Sequence, residues 1–207
     1  RDLHSFPTRR SSDLTNVSAT LPKANKAQLQ AQIDRANNSA DYIKADTAVA
    51  SALSAAKNIV AKPNPTPAEI SQATNDLKQA LDAAIAKETA AQAAAQTAVD
   101  KVKNSKSPAD IRAAEALLAH VQDTDKKSAM QDELNAVKQE ITDARTALSK
   151  LIDKAKNTPT DGLAAETVAA LNTAIAAAKA VNNNQESTVA QLTEAKTKLQ
   201  SALDNVG

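Results

Sequence analysis

Apolar residues in this chain recur every three or four positions with polar residues between them, which is the period of an amphipathic helix. In the N-terminal third, three such stripes follow one another, and we expect them to form three helices around a common core. Their apolar positions are Leu29, Ile33 and Ala36 in the first stripe, Val49, Leu53, Ala56 and Ile59 or Val60 in the second, and Ile70, Ala73, Leu77, Ala80 and Ala84 in the third. The pattern predicts a three-helix bundle.

The same three stripes return near the C-terminus. The segment "LQAQIDRAN" from Leu29 matches "LSKLIDKAK" from Leu148, "ALSAAKNI" from Ala52 matches "AIAAAKAV" from Ala174, and "ISQATNDLKQALD" from Ile70 matches "LTEAKTKLQSALD" from Leu192. Because one register holds across a whole helix, we interpret the match as an internal repeat. The second copy is three residues longer between its first two helices, and we expect the extra residues in the loop there, where insertions do least harm.

A different set of stripes separates the two copies. Its apolar positions are Ala91, Ala95, Ala98 and Val102, then Ile111, Ala114, Leu117, Leu118 and Val121, then Met130, Leu134, Val137, Ile141 and Ala144, with the last series continuing through Leu148, Leu151 and Ala155. That last series alternates steps of four and three, as in helices that pack along a continuous seam. We therefore predict a third three-helix unit, whose final helix runs on into the second copy.

Prolines and capping residues mark the expected ends of the helices. All seven prolines fall between stripes, Pro22 among them, so we expect them between helices. In "TPAE", the Thr66 hydroxyl can cap a helix while Glu69 reaches back to the Thr66 backbone, and the proline takes the first helical position. "SPAD" from Ser107 and "TVAQ" from Thr188 follow the same logic.

The junctions between the three units contain no helix-breaking residue. No Gly or Pro occurs in residues 68–107 or 109–158, so one helix can pass through each junction, whereas a flexible tether would use Gly and Ser. The apolar stripe lapses only at Lys87 and Glu88, where we expect one bundle to hand over to the next. The predicted units are residues 15–87, 88–147 and 148–207. The resulting prediction is a stiff, elongated, monomeric rod of tandem three-helix bundles that share long helices.

The first fourteen residues, "RDLHSFPTRRSSDL", differ in composition from the rest and contain the only Phe. Read as codons, they resemble one frame of a common sequencing adapter from Arg1 to Leu14. We therefore predict that residues 1–14 are a non-native, disordered segment and exclude them from the fold. A basic N-terminal arm is the alternative. The adapter interpretation implies a parent protein longer than this chain.

Composition favours an all-α fold. The chain has 47 Ala, two Gly and no Cys, and Ala is the strongest helix former because it loses no side-chain freedom in a helix. The formal charge is +1, and outside residues 1–14 the basic and acidic residues balance. A nucleic-acid surface needs clustered cations and aromatic groups, yet Tyr42 is the only aromatic residue after Leu14. We therefore expect no nucleic-acid partner. We also expect no insertion into a membrane, because no apolar run is long enough to span one.

The sequence also lacks the residue patterns of known catalytic and metal sites. His4 and His120 are the only histidines, and a lone His at a helix end more often has a structural role near the helix dipole. Without Cys or a second His outside residues 1–14 a zinc site is not expected, and two Gly cannot build a phosphate-binding loop. The carboxylates alternate with Lys on polar faces. We therefore predict no catalytic residue, no cofactor-binding residue and no metal ligand, and a protein that is not an enzyme.

The segment "LQAQIDRANNSADYIKADTAVASALSAAKNIVAKPNPTPAEISQATNDLKQALDAAI" resembles a FIVAR repeat, a three-helix module. The second copy, residues 148–206, is similar, and the middle unit resembles a GA-type module, the three-helix bundle related to albumin-binding domains. The FIVAR family often has Tyr-Thr after its first helix, whereas here Tyr42 is followed by Ile43 and the second copy has Gly162 and Leu163. No residue of the middle unit matches an albumin-contacting motif, so albumin binding is not carried over.

The resemblance implies a function outside the cell. FIVAR and GA modules alternate in giant matrix-binding adhesins of Gram-positive bacteria, which implies a stalk and adhesion segment attached to the cell wall, with a host extracellular or plasma protein such as fibronectin or albumin as partner. FIVAR modules also occur in extracellular sugar hydrolases. The alternative is therefore an accessory module of a secreted carbohydrate-active enzyme whose catalytic domain lies outside this segment. A lipid-binding amphipathic array is disfavoured, because the helix faces are rich in Ala rather than in bulky residues.

Overall fold

The computed structural model describes the backbone from Ser12 to Gly207 and the side chains from Asn25 onward. This part of the chain is helical without strands, which confirms the all-α prediction. The helices are α1 (Ser12–Asn37), α2 (Asp41–Lys44), α3 (Thr47–Ala61), α4 (Pro67–Ser105), α5 (Pro108–Leu118), α6 (Thr124–Lys156), α7 (Ala165–Asn183) and α8 (Val189–Asp204). The chain divides into two compact units, one up to Thr89 and one from Ala90.

Two predictions concern residues that lie in α1, namely the disorder of residues 12–14 and the place of Pro22 between helices. The predicted disorder of residues 1–11 lies outside the described residues, but residues 12–14 belong to α1, so the prediction of disorder is wrong for them. These three residues include neither Gly nor Pro, so a helix can continue through them whatever their origin. Pro22 also lies within α1, not before a helix as expected. A helix can contain an internal proline when it forgoes the hydrogen bond that the missing N–H would donate.

The core of the first unit comes from α1, α3 and the first part of α4, with one residue from α2. Its buried apolar residues are Leu29, Ile33, Ala36, Ile43, Val49, Ala56, Ile70, Ala73, Leu77, Leu81 and Ala84. Leu53, Ala80 and one of Ile59 and Val60 were expected in this core, but all four residues are only partly buried. The core is a narrow stripe because much of each helix face is Ala.

The second copy buries residues at the equivalent positions of its helices. These are Leu148, Ile152 and Ala155 in α6, Leu171, Ile175 and Ala178 in α7, and Leu192, Ala195, Leu199 and Leu203 in α8. The extra length of this copy is not in the loop, as expected, but in α7, which has 19 residues against 15 in α3. Gly162, at a φ of 81°, lets the loop before α7 turn in the left-handed region that Gly adopts without strain.

The middle helices are the C-terminal part of α4, α5 and the N-terminal part of α6. Together with the second copy they form one unit with a continuous core. The middle part of this core is formed by Ala95, Val99, Val102, Ile111, Ala114, Leu118, Val121, Met130, Leu134, Val137 and Ile141. Leu117 was expected here but is 39% exposed, because it is rotated about 100° from the buried Leu118 on the same helix. Val99, which the predicted stripe omits, is fully buried.

Helices α4 and α6 pass without a break through residues 86–90 and 145–149, where a hinge would contradict the predicted shared helices. Glu88, at the predicted break of the apolar stripe, is only 4% exposed, whereas Lys87 is exposed. Glu88 lies four residues after the buried Ala84 and therefore on the same face of α4. The domain boundaries at 87/88 and 147/148 and the rod shape stay predictions.

Of the three predicted capping boxes, those at Thr66 and Thr188 are present, and at Ser107 the Asp110 N–H donates to the Ser107 Oγ at 3.5 Å. At the start of α4, the Glu69 N–H donates to the Thr66 Oγ1 at 3.1 Å and the Thr66 N–H donates to the Glu69 carboxylate at 3.0 Å. At the start of α8, the Gln191 N–H donates to the Thr188 Oγ1 at 3.2 Å and the Thr188 N–H donates to the Gln191 side chain at 2.9 Å. These bonds satisfy backbone donors that a helix start leaves unpaired.

We expect Leu77→Ala to lower the free energy of unfolding of the first unit by about 2 to 5 kcal/mol, as for other buried leucines. Tyr42 packs against the first core and is the only tyrosine in a chain without Trp, so its fluorescence follows this unit in urea titrations. The matched control is Leu199→Ala at the equivalent position of the second copy, which should leave the Tyr42 transition in place. A change below about 1 kcal/mol for Leu77→Ala would contradict the core assignment.

Thr188→Ala should cost about 1 kcal/mol of stability because it removes the hydroxyl that caps α8. Thr197→Ala, in the middle of the same helix, should be neutral or stabilising, since Thr197 is exposed and Ala is the better helix former. Urea unfolding followed by far-UV circular dichroism measures both. Equal losses in the two variants would mean that the capping box does not stabilise α8.

Acid should weaken the first unit through Asp82. This carboxylate accepts hydrogen bonds from Lys78 at 2.8 Å and from Arg35 at 2.6 Å, and the bonds from Lys78 and then Arg35 lower its pKa below the ordinary value. A lowered pKa in the folded state gives stability that is present above the ordinary carboxyl pKa and is lost as pH falls through the folded-state pKa. Tyr42-monitored melts from pH 6 to pH 2.5 should therefore show a smaller decline for Asp82→Asn than for the parent chain. Asp132→Asn, in the second unit, is the control and should leave that decline unchanged.

Candidate functional site

A groove of about 580 Å³ opens in the second unit where α5, the middle of α6 and the loop between α7 and α8 meet. Ile111 and Ile141 line it and are buried. The cationic side chains of Arg112, Lys138 and Arg145 also line it. The groove therefore combines apolar residues with cations, and its chemistry depends on whether those cations are already engaged.

Arg145 binds the C-terminal end of α7. Its Nη1 donates to the Asn182 carbonyl at 2.6 Å and its Nη2 donates to the Asn184 carbonyl at 2.9 Å. The last carbonyls of a helix lack partners within the helix and carry the negative end of its dipole. The guanidinium therefore satisfies backbone acceptors and stabilises the helix end with its charge.

Arg112 is paired across the groove with Glu186 in the loop between α7 and α8. The distance from the Arg112 Nη2 to the Glu186 Oε2 is 2.8 Å. The hydrogen bond from Arg112 lowers the pKa of the Glu186 carboxyl, and the same bond raises the pKa of Arg112. Both side chains are at least half exposed, so solvent and salt screen the pair and its contribution to stability is small.

Lys138 pairs with Glu115 on the neighbouring α5. All three cations of the groove are thus bound to acceptors of the protein itself. An anionic ligand would have to displace one of these acceptors. The arrangement joins parts of the chain to one another and does not present cations for catalysis.

The two copies share a second kind of concavity, lined mainly by Ala. In the first copy a groove of about 550 Å³ runs between α3 and α4, and in the second a groove of about 490 Å³ runs between α7 and α8. Alanines occupy equivalent positions in the two grooves, namely Ala48, Ala52, Ala55 and Ala73 in the first and Ala170, Ala174, Ala177 and Ala195 in the second. The edges differ in charge, with Asp76 in the first copy where the second has Lys198.

No catalytic, cofactor-binding or metal-ligating residue was predicted, so His120 is the main side chain from the sequence analysis whose position remains to be described. His120 is exposed and follows α5 by two residues, and its backbone N–H donates to the Leu117 carbonyl at 3.1 Å. Among the described residues, no group of three or more His, Cys, Asp or Glu side chains is placed to hold a metal ion. The helices of this part of the chain also include none with the length and apolar character needed to cross a membrane.

Sequence reasoning missed the residues that join the elements, Arg145 and Arg112 above all. Between Ser12 and Gly207 the chain has three arginines, and each of them bonds to another element. Arg35 of α1 binds Asp82 of α4, Arg112 of α5 binds Glu186, and Arg145 of α6 binds the carbonyls at the end of α7. Because Arg presents a rigid fork of donors that Lys lacks, a rare Arg in a Lys-rich chain is a usable signal of such contacts.

Comparison with known proteins identifies the two copies. The FIVAR domain matches residues 25–84 and 144–206, which is more than half of the chain. No curated protein and no solved structure matches. FIVAR domains are repeat modules of cell-surface proteins. With two matches that coincide with the repeated pattern of buried residues, this chain belongs to the FIVAR domain family.

Proposed function

We propose that this chain is a non-catalytic stalk and adhesion segment of a cell-wall surface protein of a Gram-positive bacterium. In this proposal the repeated bundles project or contribute a binding surface for a host extracellular or plasma protein. The proposal is supported by the two FIVAR matches and by the engagement of the groove cations within the protein. The location it implies is extracellular and attached to the cell wall.

The observation that carries the stalk proposal is the continuity of α6. This helix has 33 residues, and a straight helix of that length spans about 50 Å. Its N-terminal half contributes Met130 and Leu134 to the middle core, and its C-terminal half contributes Leu148 and Ile152 to the core of the second copy. One helix that is packed at both ends resists bending between two bundles better than a flexible loop would.

The sharing of helices also suits the thin, Ala-rich cores. A bundle of about 60 residues buries a small fraction of its surface and is only marginally stable alone. In linear repeat arrays, each unit gains stability from contacts with its neighbour. A segment built in this way can be lengthened by adding modules, which is the property that a stalk requires.

Small-angle X-ray scattering of the whole chain tests the stalk proposal. A compact chain of this length would have a radius of gyration of about 17 Å, and we expect a value at least half as large again. Replacing Thr146 and Ala147 together by Gly should make α6 more flexible between the middle core and the core of the second copy, because each Gly costs about 1 kcal/mol of helix stability. The distribution of interatomic distances from scattering should shift accordingly.

The matched control for that experiment is the Gly pair at Gln200 and Ser201 of α8, away from this part of α6, where Gln200 is half-buried and Ser201 is exposed. It carries the same loss of helix propensity and should leave the scattering profile unchanged. A parent chain that scatters as a compact particle would overturn the stalk proposal. A catalytic carbohydrate-active domain encoded next to this segment would favour the accessory-module alternative.

A further inference from the structure

The middle helices and the second FIVAR copy touch at more than α6. The Val189 N–H at the start of α8 donates to the Lys106 carbonyl, in the corner between α4 and α5, at 3.4 Å. The corner between α7 and α8, residues 184–188, thus lies against the corner between α4 and α5. Arg112 of α5 also forms an ion pair with Glu186, which lies in the corner between α7 and α8.

Lys106 has a backbone conformation that is unusual for its residue type. Its φ is 44°, in the left-handed region where Gly normally ends a helix. Its N–H donates to the Val102 carbonyl at 2.8 Å and so closes α4, and its ammonium group pairs with the Glu140 carboxylate on α6. A strained backbone persists where the surrounding contacts hold it, and here those contacts come from α4, α6 and α8.

The corner between α7 and α8 is itself well ordered by internal hydrogen bonds. Ser187 is only 2% exposed, and its hydroxyl donates to the Val181 carbonyl at 2.7 Å. The Glu186 N–H donates to the Asn184 Oδ1 at 2.9 Å. Arg145 of α6 binds this corner by donating hydrogen bonds to the carbonyls of Asn182 and Asn184. The part that docks is therefore a preformed turn, not a loose loop.

We propose that these contacts form a clasp, made of the α4–α5 corner, the α7–α8 corner and the middle of α6, that fixes the angle between the middle helices and the second FIVAR copy. In this clasp the contact from the middle helices comes from the Lys106 carbonyl, while Arg145, which lies within the second FIVAR match, is the positioning residue that holds the α7–α8 corner on α6. Their contacts make the joint stiffer than the continuity of α6 alone would. The clasp concerns only the second unit and does not depend on the stalk function, which the scattering of the whole chain tests separately.

Spin-label distance measurements on the full chain test the clasp. The chain has no Cys, so Ala119→Cys, at the exposed residue that follows α5, and Ala169→Cys, at an exposed position of α7, give two unique labels. We expect a narrow distance distribution in the parent chain and at least a twofold broader one in Arg145→Gln. Arg145→Lys should be intermediate, because Lys keeps the charge but cannot reach both carbonyls with a rigid fork.

Lys138→Gln is the matched control. It removes another cation of α6, but its partner Glu115 lies in α5, so the distribution should stay as narrow as in the parent chain. An unchanged width in Arg145→Gln with intact helix content, or equal broadening in Lys138→Gln, would overturn the clasp. If Arg145→Gln loses helix content, Arg145→Lys decides, since a parent-like width in that variant would also overturn it.

Lys106→Gly separates a clasp role from a helix-ending role. Gly relieves the left-handed strain, so we expect a thermal midpoint no lower than that of the parent. The distance distribution should nevertheless broaden, because the pair with Glu140 is lost and the backbone of the corner is freer. A distribution as narrow as that of the parent would show that Lys106 only ends α4.

Discussion

The packing of a narrow apolar stripe along uninterrupted helices is the constraint on which this structure depends. Ala fills much of each helix face, so a single bundle has few large side chains to bury, and its core is stabilised only modestly. The second unit meets this constraint by extending one core from the middle helices into the second FIVAR copy along α6. Interruption of the stripe would leave two small cores, each with less burial to offset the entropy of folding.

Much of this organisation could be predicted from the sequence, because helix periodicity and capping are local properties. The stripe from Met130 to Ala155 is buried as the spacing of three and four indicates, apart from the partly exposed Ala144. The capping boxes at Thr66 and Thr188 form because donor and acceptor lie three residues apart in the chain. Such features need no knowledge of distant contacts.

The features that could not be predicted depend on neighbours that are distant in sequence. Glu88 is buried because of its position on the face of α4, although its side chain alone suggests exposure. Leu117 and Leu118 fit the stripe almost equally well, and only packing against α6 selects Leu118 for the core. The groove was missed for the same reason, since Arg112 and Arg145 find their partners 74 and 37 residues further along the chain.

The unbroken course of α6 couples chain length to orientation. Each residue of an α-helix turns the following structure by about 100° and advances it by about 1.5 Å. A single insertion between Ile141 and Leu148 would therefore swing the C-terminal FIVAR domain around the axis of α6 and separate the two corners that now touch. Lengthening of this region can occur without such rotation only in steps close to whole helical turns, so duplication of complete modules is the route that keeps successive domains in phase.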